Sequence, residues 1–524
     1  MKPTVPAAPA TAPAARLRGT VPLVALMAAT AAVLGLLALS RGHPGYGTET
    51  DFLGAFVPEA RRLLSGVPLK ILFHPPGYSV ILAAAYALVG DWFASGLLLS
   101  VLAGVVSVGA SYLLFRRIGG LWAAVGSATA LLSSPFFLAY GATASSDMVF
   151  LALTSLVLLG VAWSWNSGDA RRWGATGILV GVTALTRTNG VMLIALAAAP
   201  LLQARGRRRT GAAGALLAGA LLAPAIWWVV ARLMGSPFMP GATYANLAMT
   251  YFGPGDRIAV ESLQAMQQRF DGLWDVLTFA PLSMFEQYVR DAMDLMRHVF
   301  LDGDLLLFPF ALLALPGLVL LPLRTGRTRL LVALAAVTLL QIALVNLKTY
   351  ESRYYLFLVP WLGAAAGLAA AELWASLPRG RARAAAAALA VILVVVGLDD
   401  GVWRARQRLH RDESEIAASV RAARAHVEPT DLLVSRKPHL HHYTGAEFSL
   451  PPMAATLPEL RAWLMEVDRP ERETFLFFGE MERWYRPELA FLSDPESAPA
   501  WLEALATGER WALYRFRPEV SEGP

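Results

Sequence analysis

Apolar residues fall in long runs separated by short polar turns. The runs cover 20 to 40, 76 to 90, 95 to 115, 121 to 140, 148 to 165, 174 to 203, 211 to 233, 305 to 322, 330 to 347, 355 to 375 and 384 to 398. Uncharged stretches of this length mark helices that cross a bilayer. The pattern therefore predicts a polytopic α-helical membrane protein. Composition agrees, with 56% hydrophobic and 16% charged residues over 524 positions and a mean hydropathy of +0.48, outside the range of a soluble domain. The absence of cysteine excludes disulfides and Cys-ligated metal sites. The net charge of +6 reads as topology and gives no sign of nucleic-acid binding.

Residues 1–19 are Ala/Pro-rich with Lys2, Arg16 and Arg18 and are expected to form a disordered cytoplasmic tail. The run 20 to 40 exceeds the roughly 7–15 residues of a signal-peptide core and is expected to be a first span. Basic residues cluster in five turns: Arg116 and Arg117; Arg171 and Arg172; Arg205 with Arg207, Arg208 and Arg209; Arg324 with Arg327 and Arg329; Arg379 with Arg381 and Arg383. The positive-inside rule places all five in the cytoplasm. Only one net crossing then fits between residue 74 and Arg116, so 76 to 90 should be a short interfacial helix. Segment 174 to 203 must fold back on itself, with Thr186 to Gly190 at its far end. Two arms of about 15 residues fall short of the roughly 20 needed to cross, so the tip is expected within the membrane depth.

About eleven spans result, forming a membrane module over 20–398 with outer loops 41–75 and 234–304. Residues 399–524 lose the apolar runs. Strand-like Asp431 to Ser435 and Thr474 to Phe478, helix-like 413 to 426 and 457 to 467, and turns at Pro451-Pro452 and Asp494-Pro495 predict a small extracytoplasmic α/β domain. The loop 234–304 interleaves Tyr244, Tyr251, Phe252, Trp274, Phe279, Phe285 and Tyr288 with acidic residues, as an amphipathic lid or an interfacial aromatic belt would. The pair Trp227-Trp228 reads as an interface anchor. Neither a repeat of 20 to 50 residues nor an inverted repeat is visible.

Polar residues collect on the outer side. The first loop carries Thr48-Glu49-Thr50-Asp51-Phe52 and returns through His74-Pro75-Pro76-Gly77-Tyr78. Asp147 heads a span after Ser146, and Lys348-Thr349-Tyr350-Glu351-Ser352-Arg353-Tyr354-Tyr355 lies between two spans. A partly buried carboxylate can act as general base, and Lys or Arg can hold a phosphate. A phosphate at headgroup level is what a lipid-linked donor presents.

These motifs, in this order, resemble the GT-C-fold membrane glycosyltransferases, in the branch of the protein O-mannosyltransferases and the lipid A aminoarabinose transferase. Thr50-Asp51-Phe52 with Ala60 and Leu64-Ser65-Gly66 is similar to that family's first-loop pattern, and His74 to Tyr78 with Val89-Gly90 to its Pro-Pro element. Ser146-Asp147 resembles its second-loop acidic position. Gly181 to Gly190 resembles its helical-turn Arg motif, and Glu351 to Pro360 its late Arg-Tyr and Pro motif. The resemblance implies inverting transfer of a sugar from a polyprenyl-phosphate-linked donor to a hydroxyl of a protein, lipid or polysaccharide acceptor, in a bacterial inner membrane. It makes Asp51 the base, with Glu49 as second choice, and Asp147 an acidic group near substrate or metal. Arg187, Lys348 and Arg353 become phosphate contacts, with His74, Glu351 and Tyr354 beside them. His74 stands where the aminoarabinose branch has Lys. A divalent metal between Asp51 and Asp147 stays open.

A transporter or lipid flippase is the alternative, but midplane ion sites and repeated halves are missing. No Walker A loop or dinucleotide fingerprint occurs, in keeping with a donor that is not a soluble nucleotide sugar. His439, His441 and His442 lack a carboxylate or Cys partner at zinc-site spacing and read as packed or surface histidines. The Arg-rich turns carry a direct test. A truncating alkaline phosphatase fusion at Gly508 should be active and one at Gly206 inactive; the reverse would turn the candidate site toward the cytoplasm.

Overall fold

The computed structural model describes residues 13–46, 49–71, 73–165, 167, 169–203, 208–241, 243–253, 260–303, 305–348 and 351–520. Thr48, Arg205, Arg207, Thr349, Tyr350 and residues 1–12 of the expected tail lie outside the described residues, as does the side chain of Lys348. The chain is a multi-pass helical membrane protein with a small sheet at its C-terminal end. Eight helices among the described residues are long and apolar enough to cross a membrane, fewer than the eleven or so expected. The difference lies in two places. Trp92–Ser133, counted once, holds two helices that meet at a kink where Gly120 leaves helical geometry, as the two expected spans require; its φ of +85° only glycine adopts readily. The other place is the folded-back pair, neither arm of which is long enough to qualify. At the N-terminus the first helix begins at Pro13, inside the segment expected as tail, and runs to Leu39.

Small residues let these helices approach closely. A Cβ on Gly126 would stand 2.4 Å from the Gly363 carbonyl oxygen, and one on Gly367 would stand 2.2 Å from that of Trp122, so the Ser352–Ser376 region lies directly on Trp92–Ser133. The Ala170–Thr186 and Arg208–Leu233 helices meet the same way through Gly174, Gly177 and Gly219. In a bilayer, where lipid tails are as apolar as Leu, such backbone contact supplies much of the helix association.

The fold-back expected over 174 to 203 is present. Its first arm is Ala170–Thr186 and its second a 3-10 helix over Thr188–Leu202. The 3-10 form changes the length argument: at about 2.0 Å per residue the second arm reaches roughly 30 Å, against roughly 22 Å as an α-helix. That matches a hydrocarbon core of about 30 Å, so shortness alone no longer confines the tip to the membrane depth. Gly77–Val89 is a short helix, as expected.

The loop 234–304 folds into four helices, Thr243–Phe252, Val260–Arg269, Leu273–Phe279 and Pro281–Phe300, around Met249, Met266, Phe270 and Val276. The last exposes an apolar stripe of Leu282, Phe285, Val289, Met293 and Met296. Trp227 is buried and donates to the Phe238 carbonyl at 2.9 Å, while Trp228 stays half exposed.

At the C-terminal end the helix Arg381–His410 runs unbroken through residue 399, and Glu413–His426 and Leu457–Val467 form as expected. The sheet has the order β2-β1-β3-β5-β4. β1 (Leu432–Val434) pairs in parallel with β2 (Glu447–Ser449) and β3 (Thr474–Phe478), while β5 (Ala512–Phe516) is antiparallel to β3 and β4 (Leu502–Thr507).

One ion pair ties together the end of the membrane helices that carries the first loop. Arg41, just past the first helix, meets Glu49 at 2.8 Å, both side chains being fully buried. Arg41 also donates to the Ala142 and His43 carbonyls at 3.1 and 2.9 Å. Glu49 accepts from the Ala144 amide at 3.0 Å and from the Gly45 amide. Removing one partner of a buried pair strands the other charge, at a cost of about 3–5 kcal/mol. Glu49→Gln should therefore lower the unfolding midpoint of the purified protein sharply while Asp51→Asn leaves it near wild type. Equal midpoints for wild type and Glu49→Gln would remove the clamp from the account.

Candidate functional site

The clamp sets the first loop. Two residues past Glu49, Asp51 opens a single turn of π-helix over Phe52–Phe56, whose Phe52, Leu53 and Phe56 are buried. Phe52 reaches under Gly96 and Ala144. The anchored rings leave Asp51 facing outward with a half-exposed side chain, and its carboxylate lies 3.7 Å from His74 Nε2. His74 packs on Phe56, with ring centroids 4.9 Å apart. Glu49 is buried with both oxygens paired, whereas Asp51 is open to solvent.

A cation from the C-terminal domain reaches the same place. Lys437 Nζ donates to Thr50 Oγ1 at 3.0 Å, and Pro438 lies against the π-helix, 3.3 Å from where a Cβ on Gly54 would stand. His439 meets the Gly45 carbonyl at 3.1 Å and the Tyr46 ring edge-on. Burial, followed by the neighbouring Arg436, pushes the Lys437 ammonium down to about 8, and the Asp51 carboxylate opposes that shift. Sequence reasoning missed Lys437 because nothing in its own neighbourhood signals a partner so distant in the chain.

The second half of the site is a narrow cleft of about 10 Å³, lined by Asp147, Phe150, Arg187, Asn189, Arg353 and Tyr354 among others. Arg187 sits at the fold-back, in extended conformation between the two arms. The reversal needs Gly190, since a Cβ there would stand 2.6 Å from the Thr183 carbonyl oxygen. The Arg187 guanidinium is 2.6 Å from Asp147 and 3.2 Å from Ser146 Oγ. Arg353, at the start of the 3-10 turn Ser352–Leu358, pairs with Glu351 and donates to the Tyr354 hydroxyl at 3.1 Å. Both guanidinium groups lie over the Tyr354 ring, at 5.0 and 4.9 Å from its centroid.

The two halves adjoin. The Pro-Pro turn ends at Gly77, where a Cβ would stand 2.6 Å from the Leu185 carbonyl oxygen, two residues before Arg187. Tyr78 next to it is fully buried, stacks edge-on against Phe56, and lies within electrostatic reach of both Asp147 and Glu49. The structure thus brings together Asp51, His74, Asp147, Arg187, Glu351, Arg353 and Tyr354. Lys348 ends the preceding helix Thr328–Lys348, its side chain outside the described residues.

Asp147 is committed to Arg187, and among the described residues no three His, Cys, Asp or Glu side chains converge as a metal site would require. The donor set does not fit an ion held between Asp51 and Asp147. Of the three clustered histidines, burial pushes His439 down to about 3 and His442 to about 4, and His441 meets the Ala446 carbonyl, so all three are packed.

Residues 73–230 match the sequence model of the dolichyl-phosphate-mannose-protein mannosyltransferase family. No curated protein matches the chain by sequence. Among solved structures, ArnT from Cupriavidus metallidurans in the apo state superposes with a TM-score of 0.59 at 16% identity, covering 96% of this chain and 99% of that one. The same protein bound to undecaprenyl phosphate gives 0.54 at 16% identity, covering 95% and 98%. The archaeal oligosaccharyltransferase AglB from Archaeoglobus fulgidus, in complex with an inhibitory peptide and a dolichol-phosphate, gives 0.58 at 10% identity, covering 95% of this chain and 75% of that one. With a family match confined to 73–230 and an architecture shared along nearly its whole length, the chain has the membrane fold of ArnT and AglB, the GT-C fold.

Proposed function

We propose that the protein transfers a sugar from a polyprenyl-phosphate carrier to an acceptor hydroxyl on the extracytoplasmic side of a bacterial inner membrane, with Asp51 as general base. The observation that carries this reading is the adjoining of a half-exposed carboxylate, Asp51, and a cleft bearing two arginines, Arg187 and Arg353. The solved relatives that hold undecaprenyl phosphate and dolichol-phosphate support a lipid-phosphate donor. The inhibitory peptide on AglB makes a protein hydroxyl a reasonable acceptor to test first.

In the proposed reaction the acceptor oxygen attacks the anomeric carbon as Asp51 removes its proton. The bond from that carbon to the phosphate oxygen breaks, and the phosphate leaves with the bonding pair. Attack opposite the leaving group inverts the anomeric centre. A lipid phosphate needs electrostatic stabilisation and no strong acid. Arg187 and Arg353 supply that charge, each presenting several N–H donors of which Asp147 and Glu351 engage only part. Tyr354 holds the two guanidinium planes through cation–π contact. His74 and Lys437 flank Asp51, and the Lys437 ammonium and the Asp51 carboxylate attract each other.

Assayed with a polyprenyl-phosphate sugar, Asp51→Asn should lose about 10²–10⁴ in turnover, the usual worth of a general base. Near-wild-type turnover would remove Asp51 from the chemistry. Lys437 gives a second test. Facing Arg436, Asp51, Glu482 and Asp412, it is charged below about pH 8 and neutral above it, so transfer should decline as pH rises through that value. Lys437→Arg, charged throughout, should move the decline to higher pH; an unchanged profile would show that the Lys437 charge plays no part.

A further inference from the structure

A second basic cavity lies at the opposite end of the bundle. Gln203 stands one complete 3-10 arm away from Arg187, and Thr328 one 21-residue helix away from Lys348. Around them opens a cavity of about 410 Å³, continuous with the surface and lined by Arg117, Trp165, Gln203, Arg327, Thr328 and Arg329. Its arginines differ from their neighbours. Arg172 pairs with Asp169 at 3.6 Å and Arg324 with Glu372 at 2.8 Å. Arg117 bonds only the Ala162 carbonyl, at 2.8 Å, and Arg327 and Arg329 have no carboxylate partner among the described residues. The Arg117 guanidinium is repelled by those of Arg327 and Arg172. Gln203 Nε2 is buried without a hydrogen-bond partner.

Unbalanced like charges around a cavity, with a stranded amide donor beside them, call for an anion. The left-handed turn at Gly326 ends one helix, and Thr328 starts the next, so the partial positive charge of that first turn faces the same space. Guanidinium groups match phosphate oxygens in pairs. Trp165 and the apolar helix flanks suit a ligand that brings acyl chains with its phosphate, and basic pockets between membrane helices take anionic headgroups.

We propose that this cavity binds the phosphate of an anionic phospholipid. The site lies at the far end of the helices from Asp51, so its failure would leave the transferase reading untouched. The full-length protein in detergent can be titrated with phosphatidylglycerol, phosphatidylcholine and, separately, inorganic phosphate, with binding followed by native mass spectrometry. Wild type should prefer phosphatidylglycerol. Its affinity should fall about tenfold in Arg117→Gln with Arg327→Gln, the effect of losing a charge-assisted contact, and stay unchanged in Arg324→Gln, where the arginine already has Glu372. Arg327→Gln alone sits in an exposed turn and decides the matter should the double variant not fold. Equal phosphatidylglycerol affinity in wild type and variants would overturn the proposal. Inorganic phosphate binding as tightly as the lipid, and lost in the same variants, would overturn the lipid assignment in favour of a soluble phosphate.

Discussion

The buried pair of Arg41 and Glu49 fixes the end of this molecule that carries the first loop. Glu49 is joined to the Ala144 amide and Arg41 to the Ala142 carbonyl. The first loop is thereby locked to the turn between Pro135–Gly141 and Ser146–Ser164. Asp51 follows Glu49 by two residues and Asp147 follows Ala144 by three. A single buried interaction therefore sets the relative position of the two carboxylates on which the proposed chemistry depends. A buried ion pair adds little stability over an apolar replacement. What it provides here is register between segments that share no secondary structure.

The same cost of unpaired charge near a membrane shapes the rest of the site. Arg187 and Arg353 lie at helix ends, where an isolated guanidinium is expensive. Each is held by its own carboxylate and both by one tyrosine ring. The arrangement keeps two cations beside a small cleft without a bound anion. It also leaves N–H donors for one, and in the proposed reaction the carrier phosphate takes them.

Much of the fold was legible because hydrocarbon imposes a simple code: uncharged runs gave the membrane helices, and the arginine clusters forced the fold-back at Thr186 to Gly190. Asp51, His74, Asp147, Arg187, Glu351, Arg353 and Tyr354 lie in two adjoining groups. What escaped was geometry that depends on tertiary contact. A run of apolar residues does not reveal whether Thr188–Leu202 winds as an α-helix or a 3-10 helix. Arg116 and Arg117 implied a turn, and the backbone leaves helical geometry at Gly120, three residues on, so two helices meet there at a kink. In the C-terminal domain, strands rich in Phe, Leu and Val were readable, whereas Leu502–Thr507 carries Ala, Glu and Thr and pairs as an edge strand. Lys437 was invisible since its partner Thr50 lies 387 residues away. Only the family resemblance ranked Asp51 above Glu49, because burial, which separates a clamp from a solvent-exposed carboxylate, has no local signature.

The central claim is that Arg187 and Arg353 hold the carrier phosphate. The most direct measurement is the affinity of the purified protein for undecaprenyl phosphate, in wild type and in Arg187→Gln with Arg353→Gln. Loss of two charge-assisted contacts should weaken binding by at least about tenfold. Unchanged affinity would contradict the account and place the carrier elsewhere on the protein.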